Sequence, residues 1–270
     1  MISPDGGGEI NTMELIKTRK SVRTFDGRKL SEEDRKALID YAETITNPYG
    51  IPVTFVFLDA EEHGLSSPVI RGEHLYVAGK VPRMPHCEEA FGYSFEKLVL
   101  FAWSRGIGTT WIGGTMNREL FEKAAGTKDG ELMPIVSPLG YPSEEKSDVD
   151  RKLRERVHGD ERLDPAELFF EQDFSSPLEK EEYEDALEAV RWYPSAANMQ
   201  PCRVVRNGNR YHFYERHMEG YRSNAGWDVQ AIDMGIALCH FMCVAGGKFL
   251  IDDPGIEADE NTDYIASVMI

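Results

Sequence analysis

The chain has 270 residues and a formal net charge of −17, with 47 acidic side chains against 30 Lys and Arg. That length allows one large domain or two modest ones, and 41% apolar with 29% charged residues is the mixture of a folded globular chain, neither disordered nor membrane-embedded. Such acidity repels polyanions, so nucleic acid and anionic membranes are excluded as partners, and any bound anion needs a local basic cluster.

Four cysteines (Cys87, Cys202, Cys239 and Cys243) do not make a disulfide scaffold in a chain of this size. The first residues lack the basic-then-apolar pattern of a secretory signal. The longest apolar stretch, 231–251, is broken by Asp233, His240 and Lys248 and is too polar to span a bilayer. A soluble, cytoplasmic protein is expected.

In chain order, residues 1–12, with Gly6, Gly7 and Gly8, read as a flexible leader. A helix is predicted over 12–20, where Asn11 and Glu14 have capping-box spacing. A second starts behind Ser31 and buries Ala37, Leu38, Tyr41, Ala42 and Ile45 on one face. Pro48, Gly50 and Pro52 break the chain, and 53–58 reads as a buried strand. A weaker strand follows over 74–78, then a largely apolar helix over 88–105 that stops at Gly106, and a strand over 135–139. Basic residues cluster in Arg151-Lys152-Leu153-Arg154.

Near Phe174 the pattern begins again. Tyr183, Ala186, Leu187 and Val190 form a helical face, followed by a proline-rich break and a strand around 203–205. An ungapped shift of 149 lays Phe25 on Phe174, Glu32 on Glu181, Glu33 on Glu182, Ala37 on Ala186, Leu38 on Leu187 and Pro52 on Pro201. The helix 91–105 has a counterpart in 232–245, each ending at glycine. The expected organisation is two degenerate copies of one α+β sheet-plus-helices unit, 13–172 and 173–270.

Three segments carry candidate chemistry. In Arg19-Lys20-Ser21-Val22-Arg23, an extended backbone points Arg19, Ser21 and Arg23 the same way, a cup for one phosphate monoester; the plain alternative is a solvated basic turn. Pro194-Ser195-Ala196-Ala197-Asn198-Met199-Gln200-Pro201 combines small residues, which let a flat ligand approach, with amides that can meet ring edges. Gly106 to Gly114 offers paired glycines whose main-chain N–H groups can face something planar or anionic. Cys239, His240 and Cys243 are better explained by a buried helix face than by a metal, and no metal is expected.

In this order the segments resemble the FMN-dependent nitroreductase family, over most of the chain. The resemblance implies a nitroreductase-like α+β fold. It assigns the FMN phosphate to Arg19, Lys20, Ser21 and Arg23, with Arg151 or Lys152 nearby. Ile112, Gly113 and Gly114 fall where backbone amides face flavin N5 and O4, and Leu139-Gly140-Tyr141-Pro142 matches a family landmark. Pro194, Ser195, Ala196, Ala197, Asn198 and Gln200 would line the ring and ribityl chain. The first copy has Ile45-Thr46-Asn47-Pro48-Tyr49 in place of the proline-serine segment, and the second has Leu168, Phe170 and Gln172 in place of the basic one. Each copy keeps one half of a site, so an intramolecular pseudo-dimer with one FMN, monomeric in solution, is expected. The implied reaction is ping-pong hydride transfer from NAD(P)H via flavin N5 to a small acceptor such as a nitroaromatic or quinone. The cofactor carries this chemistry, so no catalytic acid or base is assigned. The alternative is an FMN-binding carrier or sensor without turnover.

Overall fold

The computed structural model of the protein describes residues 11–178, 185–218 and 226–270. Residues 1–10 of the expected leader, and Glu181, Glu182 and Tyr183 of the repeat comparison, lie outside them.

Helix α1 (Thr12–Thr18) begins where the Met13 N–H donates to Asn11 Oδ1 at 2.9 Å. It ends two residues before the expected limit because the chain turns extended at Arg19. Pairing elsewhere in the molecule holds that extended run: the Val22 N–H donates to Thr109 O and the Phe25 N–H to Arg71 O, each at 2.8 Å. Helix α2 (Glu32–Thr44) starts as predicted, with Ser31 Oγ accepting from the Asp34 N–H, and buries Leu38 and Ala42.

Strand β1 (Thr54–Asp59) is an edge strand with Leu58 its one buried residue, not the buried strand its apolar run predicts. It leads into the short helix α3 (Ala60–His63), and the weakly signalled segment becomes the central strand β2 (Leu75–Pro82). Side chains of β2 alternate between two apolar clusters. Leu75, Val77 and Val81 join Phe91 and Phe95, while Tyr76 and Ala78 join Leu58, Phe121 and Val136. Burial on both faces erases the polar–apolar alternation that marks a half-exposed strand. After α4 (Cys87–Ser104) and α5 (Arg118–Ala124) come β3 (Glu131–Leu132) and β4 (Val136–Leu139), both antiparallel to β2.

Helices α6 (Asp148–Arg156) and α7 (Pro165–Leu168) precede β5 (Phe169–Glu171). This strand precedes the expected boundary at 172, yet it pairs in parallel with β6 (Cys202–Asn207), with Phe169 opposite Val204. Then follow α8 (Asp185–Arg191), β7 (Arg210–Arg216), α9 (Val229–Ala245), β8 (Lys248–Leu250) and β9 (Thr262–Met269). The second sheet has the order β5-β6-β7-β9-β8, antiparallel apart from β5. Among the described residues, no helix is long and apolar enough to cross a membrane.

Between the sheets, α4 and α9 meet at backbone contact. A Cβ on Gly92 would fall 2.0 Å from Ile232 O, and one on Gly235 would fall 2.0 Å from Glu89 O. Each glycine therefore rests on the carbonyl three residues before the other glycine, and neither position has room for a side chain.

Candidate functional site

A cavity of about 650 Å³ opens between the two sheet-and-helix regions, within the range of about 300–1,000 Å³ typical of small-molecule sites. Segments far apart in sequence line it: 17–23, 110–115, 154–162, 192–198 and 227–236. Helix α9 contributes Val229, Ile232, Asp233 and Ile236, whereas α4 contributes no lining residue among those described.

The extended run after α1 puts Arg19, Lys20, Ser21 and Arg23 on the wall. Val22 and Phe25 turn into the core, with Val22 packed tightly on Gly108. Arg23 Nη1 lies 3.2 Å from Asp150 Oδ1, a buried carboxylate at the start of α6. Arg19 is 9% exposed, and its Nε has no hydrogen-bond partner. Burial pulls its guanidinium down; Glu96 opposes that pull, and Arg154 adds to it.

The late basic cluster contributes a different residue from the two expected. Arg151 lies off the cavity and is paired with Asp148, and Lys152 is exposed, also off the cavity. Arg154 lines the cavity, its Nε donating to Asp160 Oδ2 at 2.8 Å. Arg162 joins it. Its guanidinium sits 5.1 Å from the Trp192 ring centroid, its Nη1 donates to Glu161 O at 2.7 Å, and its Nε is buried without a partner. Burial, followed by repulsion from Arg19, pushes Arg162 down to about 10, with Asp160 pulling the other way. Arg19 and Arg162 thus sit below their ordinary range beside one another and Arg154, while Asp160 holds Arg154 above its own, and an anion placed in this space would relieve the two that are lowered.

Ile112, Gly113 and Gly114 also line the cavity. A Cβ on Gly113 would strike Ile135 Cδ1 at 2.9 Å and approach Trp227 at 3.2 Å. Gly113 O accepts from Arg118 Nη2 at 2.7 Å. A trans peptide sets C=O and the following N–H in opposite directions, so the Gly114 N–H points away from Arg118. The indole N–H groups of Trp111 and Trp227, both in the lining, are buried without partners.

Pro194, Ser195, Ala196, Ala197 and Asn198 also line the cavity, and Gln200 does not. The amides expected to meet a ring edge instead hold the loop together. Asn198 Nδ2 donates to His158 O and Glu161 O at 2.9 and 3.0 Å, clamping the loop that carries Arg162. Gln200 Oε1 accepts from the Leu163 N–H, and Ser195 Oγ accepts from the Gln200 N–H. Ala197, Asn198 and Gln200 all have positive φ, at 48°, 59° and 51°, a strained backbone of the sort that clusters at functional sites. Both carboxyl oxygens of Asp233 accept from the Ala196 N–H, at 3.1 and 3.0 Å. Burial pushes that carboxyl well above its ordinary range.

Sequence reasoning therefore brings twelve of its fifteen candidate residues to one cavity, all but Arg151, Lys152 and Gln200. It missed Arg162, Asp233, Trp192 and Trp227, which no local motif marks, and Trp111, which lies inside the marked segment Gly106 to Gly114 but was given no role. The residues present fit FMN: unpartnered guanidinium nitrogens at Arg19 and Arg162 suit a phosphate, and small residues with tryptophans suit a flat ring.

The profile of a family described as "Putative TM nitroreductase" matches residues 11–245. Among solved structures, a putative nitroreductase from Thermotoga maritima MSB8 is similar over 98% of this chain and 96% of its own, at 18% identity and TM-score 0.62. An FMN-dependent nitroreductase from Clostridium difficile R20291 covers 50% of this chain and 92% of its own, at 16% identity and TM-score 0.43. An iodotyrosine deiodinase bound to FMN and 3-iodo-L-tyrosine covers 51% and 92%, at 17% identity and TM-score 0.43. No curated protein matches the chain in sequence.

Proposed function

The chain belongs to the nitroreductase family that this profile describes, and from that premise we propose that it is an FMN-dependent oxidoreductase. Its substrates are NAD(P)H and a small acceptor such as a nitroaromatic or a quinone. The observation that carries this reading is the gathering of Arg19, Lys20, Arg23, Arg154 and Arg162 on one cavity in a chain of net charge −17. Against that background a phosphate finds its strongest field here.

Arg19, Lys20, Ser21 and Arg23 hold the phosphate, with Arg154 and Arg162 in the place first given to Arg151 or Lys152. Ile112 to Gly114 and Pro194 to Asn198 enclose the ring, and Gln200 acts only through the loop it braces. Bound FMN would supply two-electron hydride transfer between reduced nicotinamide and the acceptor, in a ping-pong cycle. The Gly114 N–H, turned away from Arg118, would donate to the flavin ring and favour negative charge there.

We read the chain as an internal pseudo-dimer of units 13–172 and 173–270 with one FMN between them, monomeric and cytoplasmic. The reciprocal contacts of Gly92 and Gly235 support this, because mutual contacts of that form are the mark of a two-fold interface. The shared order of helix, antiparallel strand pair, long helix and returning strand supports it too.

The test is anaerobic titration of the purified, FMN-loaded protein with NADPH and NADH. One flavin per chain and full bleaching of the yellow colour are expected. Yellow protein that neither nucleotide bleaches is a carrier, and colourless protein that refuses FMN overturns the reading altogether. Two flavins per chain overturn the shared site.

A further inference from the structure

We propose that His240 balances the charge of Glu96, so that this buried carboxylate does not cancel the positive charge that Arg19 presents to the ligand. This inference rests on the reading of Arg19 as a phosphate ligand.

The arginines around the cavity are not equivalent. Arg23 and Arg154 each face a carboxylate of their own, Asp150 and Asp160. The carboxylate beside Arg19 is Glu96 on α4, with Oε1 3.7 Å from Arg19 Nε. That distance is an ion-pair contact and too long for a hydrogen bond. Glu96 is wholly buried, and an uncompensated carboxylate there carries a large desolvation cost.

His240, on α9 and equally buried, supplies the compensation. Its Nε2 is 2.9 Å from Glu96 Oε1, and its Nδ1 is 2.9 Å from Ala189 O at the end of α8. A carbonyl oxygen only accepts, so Nδ1 carries a proton. One further proton must lie between Nε2 and Oε1, since a bare ring nitrogen facing an ionised carboxylate sets lone pair against lone pair. With that proton on nitrogen, the pair is imidazolium and carboxylate; with it on oxygen, imidazole and carboxylic acid. Either way Glu96 and His240 sum to zero, and the charge of Arg19 stays unspent. The second half of the chain thus sets the electrostatics of a cation belonging to the first.

The test compares FMN with riboflavin, which lacks the phosphate, by fluorescence titration of the full-length protein stripped of flavin. The ratio of the two dissociation constants reports the phosphate contact alone. In His240→Gln, Glu96 is left to neutralise Arg19, and the preference for FMN falls about tenfold. Removing the acid restores it: Glu96→Gln/His240→Gln returns to within about twofold of the parent, as does Glu96→Gln alone. A merely structural role for His240 weakens both flavins and is not rescued by the second substitution.

An unchanged ratio in His240→Gln overturns the proposal, as does a loss that the double variant keeps or a collapse in Glu96→Gln alone. If near-UV circular dichroism shows His240→Gln unfolded, His240→Asn takes its place and is read against the same outcomes. A parent protein that binds FMN and riboflavin equally overturns the phosphate reading itself, a different failure, which Arg19→Gln checks independently.

Discussion

Where α4 and α9 cross, Gly92 meets the Ile232 carbonyl and Gly235 meets the Glu89 carbonyl at the same approach. At the cavity the two helices part company. Helix α9 places Asp233 in the wall and ties it to the Ala196 N–H, while α4 stands behind the wall, with Glu96 beside Arg19, Phe95 against Trp111 and Trp103 donating to Thr18. Backbone contact at a crossing constrains shape and tolerates any chemistry around it. Side chains near the crossing differ: α4 sets Glu96 beside Arg19, while α9 holds the strained 196–200 loop through a buried carboxyl. The matched crossing and the unmatched walls can be probed separately.

The largest effect is expected at the crossing. Gly92→Ala and Gly235→Ala each force a methyl against a main-chain oxygen and should cost about 3 kcal/mol or more of stability. Urea unfolding of both variants tests the match: losses within about 1 kcal/mol of each other keep it, and one tolerated glycine breaks it. Next comes the cationic wall. Arg19→Gln and Arg154→Gln should each weaken FMN about 30-fold, roughly 2 kcal/mol for a lost charge-assisted hydrogen bond. Arg151→Gln, outside the cavity, should leave affinity unchanged by the same fluorescence titration.

On the α9 wall, Asp233→Leu leaves the Ala196 N–H without its acceptor and should cost about 2 kcal/mol. Asp233→Asn keeps an acceptor and should cost under about 1 kcal/mol. Equal losses by thermal melting would mean that the carboxyl contributes as a charge. A further effect is a pH dependence. Burial, then Asp228, pushes Glu215 up to about 7 against the pull of His217. The native state therefore holds a proton that the unfolded chain releases near 4.5. Stability should fall as pH rises between those values, and Glu215→Gln should flatten that slope in urea midpoints taken from pH 5 to pH 8.

Most helices were legible because their signals are local: Ser31 before Asp34, or the apolar face of α2. Strands β1 and β2 exchanged their expected prominence, since burial of a strand depends on what covers it. Residues 53–58 are apolar but sit on an edge, and β2 is apolar on both faces. The basic run 19–23 was readable as a cup because extended backbone alternates. Arg162 was not, because a loop clamped by Asn198 brings it to Arg19, and that clamp exists only after folding. Asn198 and Gln200 show the same limit: their amides suit a ring edge or a neighbouring main chain equally well, and short polar side chains near a turn favour the main chain.

Arg19 and Asn198 face one space from a single covalent chain. In a site shared by two separate subunits, dilution pulls the walls apart and the pocket dissolves with the dimer. Here closure is a unimolecular event, governed by the effective concentration of one segment near another. The walls that this chain contributes meet at a rate and with an affinity independent of protein concentration.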